Sequence, residues 1–194
     1  MKCHNFQVLV QNSRTDFFMD NSIIFNNTLY GLLMINANGQ IDDTQFIKNE
    51  NFNGNGIAIY TEDSSLILRD SLFSSNIGTT GVFLCVSSTC DVYRTTFEDN
   101  IVDTFGPSIR GFNANITISE STFRNLTSFT GGITAAYGNV EINNCLFQNN
   151  YALDEGASVH MVSANVLILN SSFSNDATGD SERGSSMIEY YTLI

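Results

Sequence analysis

A Phe-x-x-Asn motif recurs along this chain at nearly even intervals. Five intact copies begin at Phe18, Phe46, Phe73, Phe97 and Phe147. Two further copies, at Phe123 and Phe173, carry the Asn two residues later instead of three. The seven phenylalanines are 24 to 28 residues apart. A period in this range is typical of stacked supersecondary units, so the repeat restricts the chain to a small set of architectures.

Each period also contains two other short apolar segments. A small residue opens the first segment, at Gly31, Gly56, Gly81, Ser108, Gly132, Gly156 and Gly184. The second segment alternates apolar and polar residues, as in Leu66-x-Leu68, Ile116-x-Ile118, Val140-x-Ile142 and Val166-x-Ile168. Two-residue alternation predicts strands with one buried face, and no window shows a helical period. We therefore predict three short strands per period.

A unit of three short strands cannot bury its apolar face alone, so successive units must stack. The sequence thus predicts an all-β fold, a single-stranded parallel β-helix with three sheets. We expect about seven turns of about 25 residues, with residues 1–194 forming one segment. Such a segment is expected to be an excerpt of a longer chain or one subunit of a fibre.

The two residue types of the motif have separate predicted roles. The phenylalanines are expected to stack inside the coil as a core ladder. This ladder would contain Phe18, Phe46, Phe73, Phe97, Phe123, Phe147 and Phe173. The asparagines are expected at corners, where Asn tolerates left-handed backbone and its amide bonds to neighbouring turns. The corner residues would be Asn21, Asn49, Asn76, Asn100 and Asn150.

The motifs resemble a known repeat type. Phe-x-x-Asn alternating with Gly-Gly-x-Ile is similar to the repeats of polymorphic outer-membrane proteins, which belong to the pectin-lyase-like right-handed parallel β-helices. Gly131-Gly132-Ile133-Thr134 and Gly56-Ile57-Ala58-Ile59 match the second motif best, although most Gly-Gly pairs are reduced to one Gly. The resemblance covers about residues 8–190. It implies a right-handed coil and a secreted or surface-exposed, adhesin-like shaft.

Composition argues against several functions. The net charge is −12, so a nucleic-acid backbone would be repelled. The apolar runs are too short to cross a bilayer, so we expect no membrane insertion. Eight basic residues, two histidines and no paired-carboxylate motif match neither a polysaccharide lyase nor a hydrolase. We therefore expect no enzymatic activity and no cofactor. Acidic residues near the corners could hold Ca²⁺ or could simply form a solubilising stripe.

The glycine-led segments indicate a contact surface. Residues expected to face outward from them are apolar, which is typical of a strand covered on both sides. This predicted lateral interface contains Leu33, Ile35, Tyr60, Phe83 and Phe112. The expected partner is another copy, bound laterally or head-to-tail. The alternative is that these are scattered apolar surface residues.

Cysteines and sequons suggest a secretory route. Cys85 and Cys90 flank a short turn that a disulfide could close in an oxidising compartment; two buried thiols are the alternative. Asn-x-Ser/Thr sequons for glycans stand at Asn26, Asn115, Asn125 and Asn170. Residues 1–5 lack the apolar region of a secretory signal, so we expect that a leader was removed or that the chain is an excerpt.

These features together predict an extracellular or cell-surface β-helix shaft that self-associates and is a candidate glycoprotein. Two alternatives stay open at this level. One is a carbohydrate-active β-helix enzyme whose catalytic loops lie elsewhere. The other is a carbohydrate-binding module that uses exposed Tyr and Asn side chains.

Overall fold

The chain coils into a parallel β-helix, as predicted. The computed structural model describes residues 2–4, 8–12, 16–52, 56–179 and 187–190. Within these residues every strand pairing is parallel and no helix occurs. The strands complete about six turns of about 26 residues each. Each turn pairs only with the turn before it and the turn after it, so the hydrogen-bond ladders run along the axis of the coil.

The phenylalanine sheet and the alternating sheet contain two of the predicted strand types. The phenylalanine sheet contains Lys2–His4, Ile23–Phe25, Gln45–Ile47, Leu72–Ser74, Thr96–Glu98, Thr122–Arg124, Leu146–Gln148 and Ser172–Ser174. The alternating sheet contains Phe17–Asp20, Asn38–Asp42, Ser65–Arg69, Thr89–Tyr93, Asn115–Ser119, Asn139–Asn143 and Asn165–Leu169. Their inward positions hold the apolar residues of the alternation, which explains the period of two.

The glycine sheet contains the third predicted strand type, and a fourth sheet was not predicted. The glycine sheet contains Val8–Gln11, Leu32–Ile35, Ile59–Glu62, Phe83–Val86, Ile109–Phe112, Ile133–Ala136, Val159–Val162 and Met187–Tyr190. The short-strand sheet contains Glu50–Asn51, Ile77–Gly78, Ile101–Val102, Thr127–Thr130, Tyr151–Glu155 and Ala177–Thr178. Most of its strands are only two residues long, which is too short for alternation to be visible in the sequence.

Six of the seven predicted phenylalanines stack in the interior. The rings of Phe46, Phe73, Phe97, Phe123, Phe147 and Phe173 form this column. Consecutive ring centroids are 4.6 to 5.2 Å apart. The first five are completely buried, so the column is the centre of the apolar core. In-register pairing of the phenylalanine sheet brings each ring directly over the last.

The assignment of Phe18 to this column is wrong. Phe18 lies in the alternating sheet, pairs with Gln40 and is 69% exposed. The column position of that turn is held by buried Ile24, which pairs with Phe46. The sequence from Ile24 to Asn27 repeats the motif with Ile in place of Phe. Aligning on aromatic residues alone therefore shifted the first repeat by six residues.

The buried asparagines form a hydrogen-bonded ladder along one corner. Nδ2 of Asn49 donates to Oδ1 of Asn76 at 3.0 Å, and Nδ2 of Asn76 donates to Oδ1 of Asn100 at 3.0 Å. Backbone N–H groups of Asn49 and Asn76 donate to the same two oxygens. Asn27 begins the described ladder by donating to Asn49. These bonds satisfy polar groups that the corner takes out of water.

Two details of the corner prediction need correction. Asn21 is exposed and lies at a different corner, because Asn27 takes the ladder position in its turn. Moreover, the left-handed residue is the one before each ladder asparagine. Lys48, Ser75 and Asp99 have φ of 52°, 57° and 54°. At Phe123 and Phe173 the Asn two residues later, Asn125 or Asn175, is this left-handed residue, and Leu126 or Asp176 follows it.

Candidate functional site

The outer face of the glycine sheet is a largely apolar surface that the fold repeats from turn to turn. Parallel in-register pairing places equivalent residues in columns along the axis. The first outer column contains Leu9, Leu33, Tyr60, Leu84, Arg110, Thr134 and His160. The second outer column contains Gln11, Ile35, Glu62, Val86, Phe112, Ala136 and Val162. Most of these residues are apolar, and the inward columns between them are apolar as well.

Four of the five predicted interface residues lie on this outer face. Leu33, Ile35 and Tyr60 are half-buried, and Phe112 is 46% exposed. The ring of Phe112 meets the exposed ring of Tyr137 edge-on, with centroids 5.6 Å apart. Aromatic rings that stand partly out of a surface supply large contact areas with few rotatable bonds. This part of the face is therefore suited to contact another molecule.

The assignment of Phe83 to the interface is wrong. Phe83 is completely buried and pairs in register with inward-facing Ile59 and Ile109. The prediction failed because the glycine strands begin at different distances from the glycine that precedes them. Leu32 begins its strand directly after Gly31, whereas Phe83 begins its strand two residues after Gly81. Because side chains alternate, a shift of one residue moves a side chain to the other face.

Loops before the glycine strands cover part of the outer face. Leu84, Thr134 and His160 are 4 to 6% exposed although they point away from the core. Gly131 lies in such a loop with φ of 54°, and a Cβ there would stand 2.8 Å from the Cβ of His160. Glycine thus permits the close approach of loop and strand. The uncovered area is centred on Leu33, Tyr60 and Phe112.

Tyr60 contributes a neutral hydroxyl to this area. Its hydroxyl donates to Oε2 of Glu62 at 3.0 Å, and its ring lies 5.7 Å from that of Tyr30. Burial, followed by the hydrogen bond to Glu62, raises the pKa of Tyr60 to about 12. The phenol therefore remains protonated throughout the physiological range.

Cys85 and Cys90 form a disulfide inside the coil. Cys85 faces inward from the glycine sheet, Cys90 faces inward from the alternating sheet, and both are completely buried. The bond joins two sheets across the corner at residues 86–89. Cys145 is a buried free thiol, and burial raises its pKa. The thiol of Cys145 is thus kept protonated and unreactive, as is usual for a structural cysteine.

All four sequon asparagines are exposed. Asn26 and Asn125 occupy equivalent left-handed corners that follow strands of the phenylalanine sheet. Asn170 lies at a corner between the alternating and phenylalanine sheets, and Asn115 begins a strand of the alternating sheet. None of them lies on the outer face of the glycine sheet. Glycans at these positions would leave that face accessible.

The outer face of the alternating sheet has a different character. Three adjoining shallow hollows of about 420, 390 and 310 Å³ lie along it. Exposed amides line one of them, with Asn139 donating to Asn115 and Asn165 donating to Asn139. Arg94 lines the hollow of about 420 Å³ and pairs with Asp70 at 2.6 Å, and this bond lowers the pKa of Asp70. The face offers hydrogen-bond donors and acceptors, and it also exposes the apolar side chains of Phe18, Leu167 and Leu169.

No metal centre or membrane span is found in the described part of the chain. Among those residues, no group of three or more His, Cys, Asp or Glu side chains is placed to hold a metal ion. The same residues include no helix with the length and apolar character needed to span a bilayer.

The family of the chain follows from its sequence as well as its fold. The family described as "right handed beta helix region" matches residues 1–125, and the chain belongs to it. The coil is accordingly right-handed, which agrees with the pectin-lyase-like resemblance. No curated protein matches the chain at a significant level.

Several solved structures match the chain at low similarity. They include catalytic domains of GH87 α-1,3-glucanases in complex with tetrasaccharides or with nigerose. The identities are 13% and 12%, and the TM-scores are 0.34 and 0.38. The matches cover 96% and 97% of this chain but only 49% and 48% of the glucanase chains. The chain thus spans about half the length of these structures, and similarity at this level carries no conclusion about activity.

Proposed function

We propose that this chain is a non-catalytic, extracellular β-helix shaft that associates laterally with another copy through the outer face of the glycine sheet. The observation that carries the proposal is the apolar character of both faces of this sheet. The area around Leu33, Tyr60 and Phe112 stays partly exposed among the described residues, although Tyr30 packs against Tyr60 and Tyr137 packs against Phe112. Strands that are apolar on both faces are usually covered on both.

The extracellular assignment is supported by the cysteines and the sequons. A buried disulfide such as Cys85–Cys90 persists in oxidising compartments and is rare in the cytosol. The four sequons stand on exposed corners and strand ends away from the glycine sheet. Attached glycans would thus protect the other sides of the shaft while leaving the proposed contact free.

The charge of the chain predicts how the association responds to salt. Each copy carries a net charge of −12, so two copies repel one another at long range. Salt screens this repulsion over about 8 Å at physiological ionic strength. Contact through neutral residues such as Tyr60 and Phe112 should therefore strengthen as salt is added.

The double variant Tyr60→Ser and Phe112→Ser tests the proposal. We expect the wild-type chain to sediment as dimers or larger assemblies that grow with salt, and the double variant to sediment mainly as monomer. Removing two partly exposed aromatic rings from a contact typically weakens it by at least about tenfold. Electron microscopy of the wild-type chain should show laterally paired rods.

Phe129→Ser is the matched control, because Phe129 is equally exposed at 44% but lies on the short-strand sheet. Far-UV circular dichroism checks that all variants keep their strand content. Sedimentation of the folded double variant at the wild-type rate would refute the lateral contact.

A further inference from the structure

The first outer column of the glycine sheet changes character over three consecutive turns. Its earlier members are Leu9, Leu33, Tyr60 and Leu84. The next three are Arg110, Thr134 and His160, which pair in register on adjacent strands about 4.8 Å apart. Three successive polar replacements on an otherwise apolar face point to a site with a function of its own.

These residues line a cavity of about 180 Å³. Its walls are largely apolar and aromatic, and its polar side chains are those of the three column residues and Tyr137. The lining includes Phe105, Arg110, Phe112, Thr134, Tyr137 and His160. Small-molecule sites usually combine an apolar enclosure with a few convergent polar groups, and this cavity has both.

Arg110 is the cation of the cavity. It is half-buried, and the ring of Phe105 lies 5.0 Å from the carbon at the centre of its guanidinium. Across the described residues, no Asp or Glu forms an ion pair with Arg110, whereas Arg94 pairs with Asp70 and Arg124 pairs with Glu98. Burial lowers the pKa of Arg110 but leaves it charged. A partly desolvated guanidinium without a carboxylate favours an anionic ligand.

The far end of the cavity is neutral at physiological pH. Nε2 of His160 lies 3.6 Å from Oε1 of Glu155, and burial lowers the pKa of His160 despite the nearby charges of Glu155 and Asp154. Thr134 donates its hydroxyl to the carbonyl of Thr130 at 3.4 Å. Glu155 is not among the residues that line the cavity, so Arg110 is the charged side chain of the lining.

We propose that this cavity binds a small planar carboxylate, with the carboxylate on the guanidinium of Arg110 and the apolar body between Phe105, Phe112 and Tyr137. The fork of a guanidinium matches the two oxygens of a carboxylate. The aromatic walls exclude a strongly hydrated phosphate and favour an unsaturated or cyclic body. The lining of the site comes from one chain, and it shares Phe112 with the proposed lateral contact.

Isothermal titration with benzoate tests the site, and benzamide serves as the neutral ligand of the same shape. We expect benzoate to bind and benzamide to bind much more weakly. Arg110→Gln should weaken benzoate binding by about tenfold to a hundredfold, because one hydrogen-bonded charge is removed. Arg110→Lys should retain part of the affinity, since it keeps the charge but loses the fork.

Arg69→Gln is the matched control, because Arg69 lies on the alternating sheet and should leave benzoate binding unchanged. Circular dichroism confirms folding of each variant. The proposal is overturned if benzoate does not bind the wild-type chain. Equal binding of benzoate to wild type and Arg110→Gln, or of benzoate and benzamide to wild type, overturns it as well.

The carboxylate could come from a free small molecule or from an acidic side chain of a second copy. Sedimentation with saturating benzoate separates these sources. If a second copy supplies the carboxylate, benzoate and Arg110→Gln will both dissociate the assembly. If the ligand is a free molecule, Arg110→Gln will leave sedimentation in the absence of benzoate unchanged. Either result supports the carboxylate site and identifies the source of the carboxylate.

Discussion

A single interior position per turn determines how the coil is packed. That position holds a stacked ring in six strands of the phenylalanine sheet and Ile24 in another. A stacked aromatic pair contributes about 0.5–1.5 kcal/mol beyond the apolar area it buries. Ile24 contacts the same column without a ring, so it preserves the register while giving up this contribution.

Substitution at Ile24 and at Phe18 distinguishes the column position from the residue type. Ile24→Ala should lower the free energy of unfolding by about 2–5 kcal/mol, because it opens a cavity beside Phe46. Phe18→Ala should change it by no more than about 0.5 kcal/mol, because Phe18 is 69% exposed. Urea denaturation followed by circular dichroism measures both. A larger loss of free energy of unfolding for Phe18→Ala than for Ile24→Ala would show that Phe18, and not Ile24, occupies the column position of the first repeat.

The corners are the elements that let short strands join into a coil. Three corners of each turn hold a left-handed residue other than glycine, as at Asp63, Asp70 and Ser75. The residue after it is small or polar at most of these corners, and many of these side chains accept a hydrogen bond from the preceding turn. At one corner Ser71 accepts from the N–H of Thr44, and its hydroxyl donates to the carbonyl of Arg69. Asparagine fills this position at the ladder corner because one amide can both accept and donate.

The ladder predicts a large effect of one buried amide. Asn76→Ala removes the acceptor of Asn49 N–H and Nδ2, and it removes the donor to the carbonyl of Phe46. Leaving such groups unsatisfied costs about 1–3 kcal/mol each, so we expect a loss of about 2–4 kcal/mol in the free energy of unfolding.

Asn139→Ala is the matched control for the ladder. Asn139 also donates to one neighbouring asparagine and accepts from another, but it is exposed, so water replaces the lost bonds. We expect a change within about 0.5 kcal/mol. Equal losses for Asn76→Ala and Asn139→Ala in urea denaturation would contradict the role of burial.

The whole molecule behaves as a one-dimensional stack. Every strand pairs only with equivalent strands of adjacent turns. Stability in such a stack is approximately a sum over turns and their interfaces. The core therefore extends along the axis of the coil, and its length is set by the number of turns.

Removal of one whole turn tests this description. Deletion of residues 99–124 joins Glu98 to Asn125 and places Phe97 directly beneath Phe147. We expect a folded chain with the same strand content per residue and a free energy of unfolding lower by roughly 1–4 kcal/mol. Deletion of residues 99–111, about half a turn, is the control and should abolish folding because it breaks the register. Circular dichroism and urea denaturation report both, and loss of fold in the whole-turn deletion would contradict the additive stack.

Much of the interior could be predicted from the sequence because its signals are local. Strand alternation and the Phe period identify the inward columns, and Asn49, Asn76, Asn100 and Asn150 follow from their distance to Phe. The faces of the glycine strands could not be predicted as reliably. Loops of unequal length precede them, and only the folded loops decide whether a residue such as Phe83 points in or out.

The amino-acid sequence by itself determined that the chain coils, how long each turn is and that six of the seven repeated rings stack in the interior, because a repeated local pattern buries its apolar side in the same way in each turn. Only the tertiary structure decided the start of the first repeat, the fourth sheet and the meeting of Phe105, Arg110 and His160 in one cavity. Those outcomes depend on which residues stack on one another in adjacent turns. The local sequence of one turn does not specify this, because the stacked residues are far apart in the chain.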